Sequence, residues 1–481
     1  MAANHQNSNN TVCVTKRVSV YPKSSINPPK VISLSNLDRQ CPMLMYLVFF
    51  YKNHSLSLDY VFNSLKSGLE QTLSVWYPAA GRLSLNPSDG KLNLWCNNEG
   101  AIMVEAITRV KISELGDLSN YNDFFEDLVY KPVFNRSFSD MPLVVAQVTK
   151  FGCGGYSIGI GTSHSLFDGP STYDFLSAWA CNSAILKQKQ QVQVGGSHEV
   201  ILQKPPVHER GTLLLVGNDC GAQKGVVGVK RAAAIDHLYE LIKQALTDHQ
   251  SRPAGTHDHM MKLGGSSNDY VLKTYHLSGA MIDKLKLETL GDHWRGISSS
   301  FEIVAAHLWK ARTKALGVKK EKMVCLQFAV DIRSKMVPPL PKGFSGNAYV
   351  LASIVQSAGE LEQQRHEAII EKIKEAKNRV SNEYVKAYIK ALDGPQQQQD
   401  SLPPMKELTI VSDWTRMPFH KIDFLSGEEA AAAYASPLVS PIPQVAYLMQ
   451  SVDDLRGIHL RIGLHPQSLN AFSHYFLTNL Q

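Results

Sequence analysis

A strand pattern that runs directly into a helix pattern is the feature that most constrains the fold of this chain. Residues 156–163 (YSIGIGTS) alternate between larger apolar and small or polar side chains, which predicts a β-strand. His164 follows at the strand end, a short loop carries Asp168, and Pro170 stands where a helix begins. Strands that lead into helices in this way predict mixed layers of strands and helices.

The same alternation extends along the rest of the chain. Patterns typical of strands occur at 45–52, 91–96, 143–150 and 323–331, and patterns typical of helices at 57–75, 231–248, 301–316 and 360–391. At about 150 residues per domain, 481 residues predict two to three domains. We therefore predict an α/β fold (mixed α+β) with two lobes of similar size.

A change in composition marks the predicted boundary between the lobes. Residues 187–222 contain a Lys/Gln-rich run, a Pro-Pro pair and many glycines, which is typical of an exposed crossover. We predict an N-terminal lobe at 1–186 and a C-terminal lobe at 223–481. A polar insert at 249–268 and a glutamine run at 396–399 are expected to be solvated loops.

Composition excludes several classes of protein. Lys and Arg number 49 against 43 Asp and Glu, and a net charge of +6 is too small and scattered for a nucleic-acid binder. No apolar run reaches the roughly 18 residues of a membrane-spanning helix, and the polar N-terminus does not resemble a signal peptide. The seven cysteines include no CxxC pair, so we expect neither a disulfide framework nor a zinc site. A cytoplasmic location follows as the expectation.

The segment HSLFDG at 164–169 carries the strongest chemical signal. A histidine at a strand end is held on a rigid element and can act as a general base near neutral pH. Asp168 can orient the ring or hold the loop through an ion pair. Taken alone, the same pattern also suits a histidine that only hydrogen-bonds a backbone carbonyl.

Several further motifs occur in the order typical of one enzyme family, and the chain resembles the plant BAHD (HXXXD-type) acyl-CoA-dependent acyltransferases over nearly its whole length. Seven landmarks carry the resemblance: LSNLD at 34–38, YPAAGRL at 77–83, CGG at 153–155, HSLFDG at 164–169, SSFE with HLWK at 299–302 and 307–310, DIRSK with PPLP and GN at 331–335, 338–341 and 346–347, and SDW at 412–414 before Arg416 and Pro418. A chance match in this order is very improbable.

The resemblance implies a fold and a mechanism. It implies two chloramphenicol-acetyltransferase-like lobes with a solvent channel between them and His164 as the general base. Asp168 is then expected to pair with an arginine, for which Arg333 is one candidate. Ser412 and Trp414 are the candidate donors to the oxyanion, although a plain core tryptophan explains Trp414 nearly as well. Neither a metal nor a permanently bound cofactor is needed, because acyl-CoA is a co-substrate.

Two more regions are carried over from the family. Ser299 and Ser300 open the helix beneath the expected acyl-CoA channel, and a helix-capping role explains them equally well. The second family signature, DFGWG, stands here as DFLSG at 423–427. Asp423 is retained, and the resemblance implies an ion pair for it, while the Gly-Trp to Leu-Ser change alters the packing of the loop.

These residues predict an acyl-CoA-dependent O- or N-acyltransferase of plant specialised metabolism, expected to be a monomer. Its partners would be acyl-CoA and a small-molecule alcohol or amine. Family members that acylate shikimate or quinate carry an arginine before the SxW stretch, and no arginine occurs between Arg379 and Arg416. An uncharged or cationic acceptor is therefore favoured. The alternative is a protein of this fold that has lost transferase chemistry, either a lyase-type enzyme or a non-catalytic partner of a membrane elongase.

Overall fold

The computed structural model describes residues 11–41, 43–52, 56–132, 138–191, 205–215, 270–291, 298–392, 407–425, 434–438 and 444–478. Contacts divide the chain into two compact units. The first unit comprises Met1–Arg210, Pro341–Asn347 and Pro418–Leu438. The second unit comprises Gly211–Leu340, Ala348–Met417 and Val439–Gln481.

Strands and helices mix throughout the described residues, which confirms the predicted α/β class. The strands are β1 (Cys13–Val20), β2 (Lys30–Ser33), β3 (Leu44–Tyr51), β4 (Arg82–Leu85), β5 (Leu92–Cys96), β6 (Ala101–Ile107), β7 (Val144–Lys150), β8 (Tyr156–Ser163), β9 (Val271–Leu277), β10 (Met323–Asp331), β11 (Tyr349–Ser357), β12 (Leu408–Asp413), β13 (Tyr434–Pro437), β14 (Ala446–Gln450) and β15 (Ile458–Leu464). The α-helices are α1 (Asn36–Arg39), α2 (Leu58–Val75), α3 (Gly169–Gln191), α4 (Thr212–Leu215), α5 (Gly279–Leu290), α6 (Ser300–Ala315), α7 (Ala358–Gln363), α8 (His366–Arg379), α9 (Asn382–Ala391) and α10 (Pro466–Leu477).

The first unit is built on a six-stranded sheet in the order β1-β6-β7-β8-β3-β13 and a three-stranded sheet in the order β2-β5-β4. In the larger sheet, β6 and β7 are parallel, and β8 is antiparallel to both β7 and β3. All eight residues of β8 are buried. The strand that leads to His164 is therefore an inner strand, paired on both edges.

Helices α2 and α3 pack together in the first unit. The Ser57 side chain caps α2 by accepting a hydrogen bond from the Tyr60 N–H at 3.2 Å. Five of the apolar positions that predict this helix are buried, namely Val61, Phe62, Leu65, Leu69 and Leu73. Trp179 of α3 is fully buried and donates its indole N–H to the Leu65 carbonyl at 2.8 Å, which fixes α3 against α2.

The second unit is built on another six-stranded sheet, in the order β11-β10-β12-β14-β15-β9. Strands β10, β12 and β14 are parallel neighbours, while β11, β15 and β9 add antiparallel pairs. Helix α6 is almost wholly buried, from Glu302 to Thr313, and contains the fully buried Trp309. Each unit thus has its own sheet and core.

The predicted single helix at 360–391 is wrong, because the segment forms three helices, α7, α8 and α9. Gln364 and Arg365 adopt extended conformations, with ψ of 141° and 150°. Ser381 then starts α9 by accepting a hydrogen bond from the Tyr384 N–H at 3.3 Å. Periodic apolar residues persist across both breaks, so the pattern alone did not reveal them.

The chain is not divided linearly, and this differs from the predicted boundaries. Pro341–Asn347 and Pro418–Leu438 lie in the second half of the sequence and belong to the first unit. The later segment belongs to the first unit because its strand β13 pairs with β3 in the antiparallel direction. The DFLSG region therefore belongs with the N-terminal sheet. The predicted helix at 231–248, the polar insert and the glutamine run lie outside the described residues.

No helix in the described part of the chain combines the length and the apolar character needed to cross a bilayer.

Candidate active site

His164 lies directly after β8 in the first unit. Its backbone N–H donates to the Met43 carbonyl at 2.8 Å, and its own carbonyl accepts a hydrogen bond from Asn347 Nδ2 at 2.7 Å. The residue is half-buried. Both polar groups of the His164 backbone are therefore held, so the side chain leaves a rigid point of the fold.

Asp168 begins the helix that follows. Its Oδ1 accepts the Ser171 N–H at 3.0 Å, and its carbonyl accepts the Thr172 N–H at 2.8 Å. These contacts make the nearly buried Asp168 the N-cap of α3. The arginine pairing of Asp168 stays a prediction. Arg333, the proposed partner, lies with its Nη1 2.7 Å from Asp331 Oδ2.

A buried polar network lies beside His164 and joins three of the sequence landmarks. Asp38, from LSNLD, is fully buried, and its Oδ1 accepts the backbone N–H of Asn347 at 2.9 Å and Asn347 Nδ2 at 3.1 Å. Its Oδ2 accepts the Ser35 hydroxyl at 2.7 Å and the Ser35 N–H at 2.9 Å. The LSNLD, GN and HSLFDG motifs thus share one cluster of hydrogen bonds.

Arg210 neutralises this cluster. Its Nε lies 2.9 Å from Asp38 Oδ2, and both side chains are almost completely inaccessible to solvent. Its Nη1 donates to the His208 carbonyl at 2.5 Å, and the guanidinium lies 5.7 Å from the centre of the Phe344 ring. A buried carboxylate needs such a partner, because an unpaired buried charge is strongly destabilising.

The described part of the DFLSG segment packs against the sheet of the first unit. Phe424 is buried, with its ring centre 5.4 Å from that of Phe49 and 5.0 Å from that of Trp179. The Tyr51 hydroxyl donates to the Ile422 carbonyl at 2.9 Å. Asp423 Oδ1 accepts the N–H of Leu425, two residues on, at 3.0 Å. These contacts give the segment a packing role, and residues 426 and 427 lie outside the described residues.

Ser412 and Trp414 lie together in the second unit, at the end of β12. Trp414 Nε1 donates to Ser412 Oγ at 3.0 Å, and the Trp414 backbone N–H donates to the Leu448 carbonyl at 2.7 Å. The ring centre of Trp414 is 5.2 Å from that of Tyr447 in an edge-to-face arrangement. Trp414 is only half-buried, which distinguishes it from the fully buried Trp309.

Ser299 and Ser300 differ in what their side chains do. Ser299 is the N-cap of α6 and forms a capping box with Glu302, whose Oε2 accepts the Ser299 N–H at 2.9 Å. The Ser300 hydroxyl instead accepts a hydrogen bond from Lys286 Nζ at 3.1 Å. The Ser299 hydroxyl therefore caps the helix, whereas the Ser300 hydroxyl contacts Lys286.

A cavity of about 560 Å³ adjoins Ser300 within the second unit. Its lining includes Lys286, Arg456 and Thr415, the residue after Trp414. Lys286 is nearly buried, and this burial lowers the pKa of its ammonium group, while Asp283 opposes the shift. Asp283 also lies 2.8 Å from Arg456 Nη1. The two cations against one carboxylate make the cavity suitable for an anionic group.

The structure thus groups the predicted residues by unit. His164, Asp168 and Asp423 belong to the first unit, and Ser412, Trp414, Ser299 and Ser300 belong to the second. Sequence reasoning missed Arg210 and Lys286. Asp38 requires a cationic partner because it is buried, but no local signal in the sequence indicates which arginine supplies it.

Comparisons with known proteins find related sequences over nearly the whole chain. The family model described as Transferase family matches residues 10–478. Brassinosteroid-related acyltransferase 1 of Arabidopsis thaliana is 51% identical over 468 residues, covering 96% of this chain and 97% of that protein. Omega-hydroxypalmitate O-feruloyl transferase of Arabidopsis thaliana is 28% identical over 448 residues, covering 92% and 88%.

Solved structures share the fold. Vinorine synthase superposes with a TM-score of 0.68 at 19% identity, covering 97% of this chain and 98% of that one. TRI101 of F. graminearum, solved in complex with coenzyme A and T-2 mycotoxin, also gives 0.68, at 12% identity, covering 92% and 96%.

The α/β fold with two six-stranded sheets and the ordered motifs define a class of acyl-transferring enzymes. The chain belongs to the Transferase family, the BAHD acyltransferases, and it is an acyltransferase. The resemblance drawn from its sequence is confirmed.

Proposed function

We propose that this chain transfers an acyl group from acyl-CoA to a hydroxyl of a brassinosteroid-like steroid, with His164 as the general base. The observation that carries the proposal is the placement of His164, half-buried directly after the buried strand β8, with its backbone N–H and carbonyl both hydrogen-bonded. A general base must lie within hydrogen-bond reach of the proton that it removes, so it needs a fixed position.

The proposed reaction is a direct transfer. The His164 imidazole takes the proton of the acceptor hydroxyl as its oxygen attacks the thioester carbonyl carbon. The tetrahedral intermediate then expels the CoA thiolate, which recovers the proton from the imidazolium. The products are an ester and free CoA, and no covalent acyl-enzyme forms.

Ser412 is the proposed donor to the developing oxyanion. Because Trp414 Nε1 donates to Ser412 Oγ, the hydroxyl proton of Ser412 is left to donate elsewhere, and its direction is set by the indole. Trp414 then acts by orienting Ser412, which fits its half-buried position.

The cavity beside Ser300 is the proposed site for the anionic part of acyl-CoA. Lys286, Arg456 and the Ser300 hydroxyl supply positive charge and hydrogen-bond donors there. Structural neighbours solved with coenzyme A support a CoA-dependent reaction on this fold. Ser299 contributes by holding the start of α6.

The acceptor class rests on the relative at 51% identity, which is named a brassinosteroid-related acyltransferase. A steroid alcohol is uncharged, and this agrees with the lack of arginine between Arg379 and Arg416. We further propose that the enzyme is a monomer and acts in the cytoplasm.

The test is release of free thiol from a panel of acyl-CoAs with brassinosteroids as acceptors, followed by mass spectrometry of the ester. We expect wild type to release thiol and form ester, and His164→Ala to lose about 10²–10⁴-fold in rate, the usual contribution of a general base. His474→Ala, which removes an exposed histidine of α10, is the control and keeps the wild-type rate.

Equal rates for wild type and His164→Ala would rule out His164 as the general base. Thiol release with amine or fatty-alcohol acceptors, and none with steroids, would keep the transferase and discard the acceptor. Turnover of an acceptor without CoA would point to a lyase.

A further inference from the structure

Asn347 makes the direct contact between the buried ion pair and His164. Its Nδ2 lies 2.7 Å from the His164 carbonyl oxygen and 3.1 Å from Asp38 Oδ1. An amide nitrogen carries two protons, so it can serve both acceptors at once. Because both neighbours are oxygens that only accept, the amide orientation is set by the contacts, with Nδ2 facing them.

The backbone of Asn347 is held by the same carboxylate. Its N–H donates to Asp38 Oδ1 at 2.9 Å, and Asp38 in turn is paired with Arg210. The preceding residue is glycine, and a Cβ at Gly346 would lie 2.7 Å from the Arg210 guanidinium carbon. The close approach of Arg210 therefore requires a glycine next to Asn347.

The same segment is tied to the helix that follows His164. The Ser171 hydroxyl of α3 lies 3.3 Å from the Gly346 carbonyl oxygen. His164, the start of α3 and Asn347 are thus joined within the first unit by hydrogen bonds that do not involve the imidazole. Asn347 therefore contacts the peptide from which the imidazole projects.

We propose that Asn347 is a positioning residue for His164: its side-chain amide, held by the Asp38–Arg210 ion pair, fixes the His164 carbonyl and thereby the place of the imidazole. The role of Asn347 in catalysis rests on the proposed function, since it acts through His164. Asn347 does not take part in proton transfer, and its loss weakens the chemical step and leaves acyl-CoA binding intact.

The kinetic test compares Asn347→Ala with Asn382→Ala. Asn382 is also a buried asparagine, and its Oδ1 accepts the Val337 N–H at 3.0 Å in the second unit. We expect Asn347→Ala to lower kcat about 10–100-fold with an unchanged KM for acyl-CoA, because small misplacement of a reacting group has effects of this size. Asn382→Ala keeps the wild-type kcat.

A spectroscopic test reports on His164 without any substrate. In protein labelled with ¹³C at the histidine ring, the signal that is missing in His164→Ala identifies His164. We expect Asn347→Ala to shift that signal, and Asn382→Ala to leave it in place. Thermal unfolding checks that each variant is folded, and Asn347→Ser, which leaves a smaller cavity, replaces Asn347→Ala if that variant does not fold.

The outcomes separate the two proposals. An active wild type, an inactive His164→Ala and an Asn347→Ala variant with wild-type kcat would overturn the positioning role alone. If wild type releases no thiol, the proposed function fails. An unchanged His164 signal in Asn347→Ala would then still overturn the positioning role of Asn347. A raised KM with an unchanged kcat would also overturn it, since the residue would then serve binding.

Discussion

The surroundings of His164 and the cavity beside Ser300 use charged groups in opposite ways. Next to His164, Arg210 and Asp38 are buried together, and the Asp38 carboxylate accepts five hydrogen bonds from the protein itself. Beside Ser300, Arg456 is largely exposed and pairs with a partly exposed Asp283. The proposed base requires fixed geometry, whereas the proposed acyl-CoA site requires cations that can change partners as substrate binds and leaves.

The largest effect that this contrast predicts is on the stability of the folded protein when the buried ion pair is broken. Arg210→Ala leaves the Asp38 carboxylate buried without its cation, so we expect a loss of about 3–5 kcal/mol in the free energy of unfolding. Urea denaturation followed by circular dichroism measures it.

Arg379→Ala is the matched control, because Arg379 forms an exposed pair with Glu375 at 3.4 Å. It should cost no more than about 0.5 kcal/mol, as for other exposed pairs. Equal losses in the two variants would show that the buried pair has no special importance.

The pH dependence of stability sharpens the comparison further. Burial lowers the pKa of His208 in the first unit to about 4, and burial with the nearby His307 lowers that of His366 in the second unit to about 4. Between pH 4 and 6.5 the unfolded chain binds more protons than the folded one. The stability that the two buried, neutral imidazoles contribute is therefore complete above pH 6.5 and is lost as the pH falls towards 4.

His208→Gln tests this in the first unit. The variant is less stable than wild type at pH 7, and the gap should narrow by about 2–3 kcal/mol by pH 4.5, because only the unfolded wild type gains a proton at residue 208 in this range. A gap between His208→Gln and wild type that stays constant with pH would refute the assignment.

The smallest expected effect concerns substrate binding in the second unit. Lys286→Ala removes a nearly buried cation from the cavity, so we expect the KM for acyl-CoA to rise about 10–100-fold, the value of a charge-assisted hydrogen bond. The kcat should change little, because the proposed role of Lys286 is to bind acyl-CoA and not to transfer a proton. Initial rates at saturating acceptor measure both constants.

Lys374→Ala is the control for that experiment, because Lys374 lies on α8 and pairs with Glu371 at 2.7 Å. Its KM should equal that of wild type. A fall in kcat without a change in KM for Lys286→Ala would contradict the proposed binding role.

Local patterns predicted the elements that place His164. The alternation at 156–163 is β8, the helix after Pro170 is α3 from Gly169, and the spacing at 57–75 is α2. Strand β1 was missed: its residues are mostly exposed at the sheet edge, so no apolar face marks the polar N-terminal arm as a strand. The breaks at Gln364 and Ser381 were missed because apolar spacing continues through them.

The sequence by itself determined the α/β class and the family, and it predicts His164 as the base, because these depend on neighbouring residues and on motif order. Only the tertiary structure decided which distant groups meet. Asn347 lies 309 positions from Asp38 and 183 from His164, and Pro418–Leu438 joins the first unit through pairing of β13 with β3. The physical reason is that a buried carboxylate or an open strand edge requires a partner without specifying which residue supplies it, and that choice is made by the packing of the whole chain.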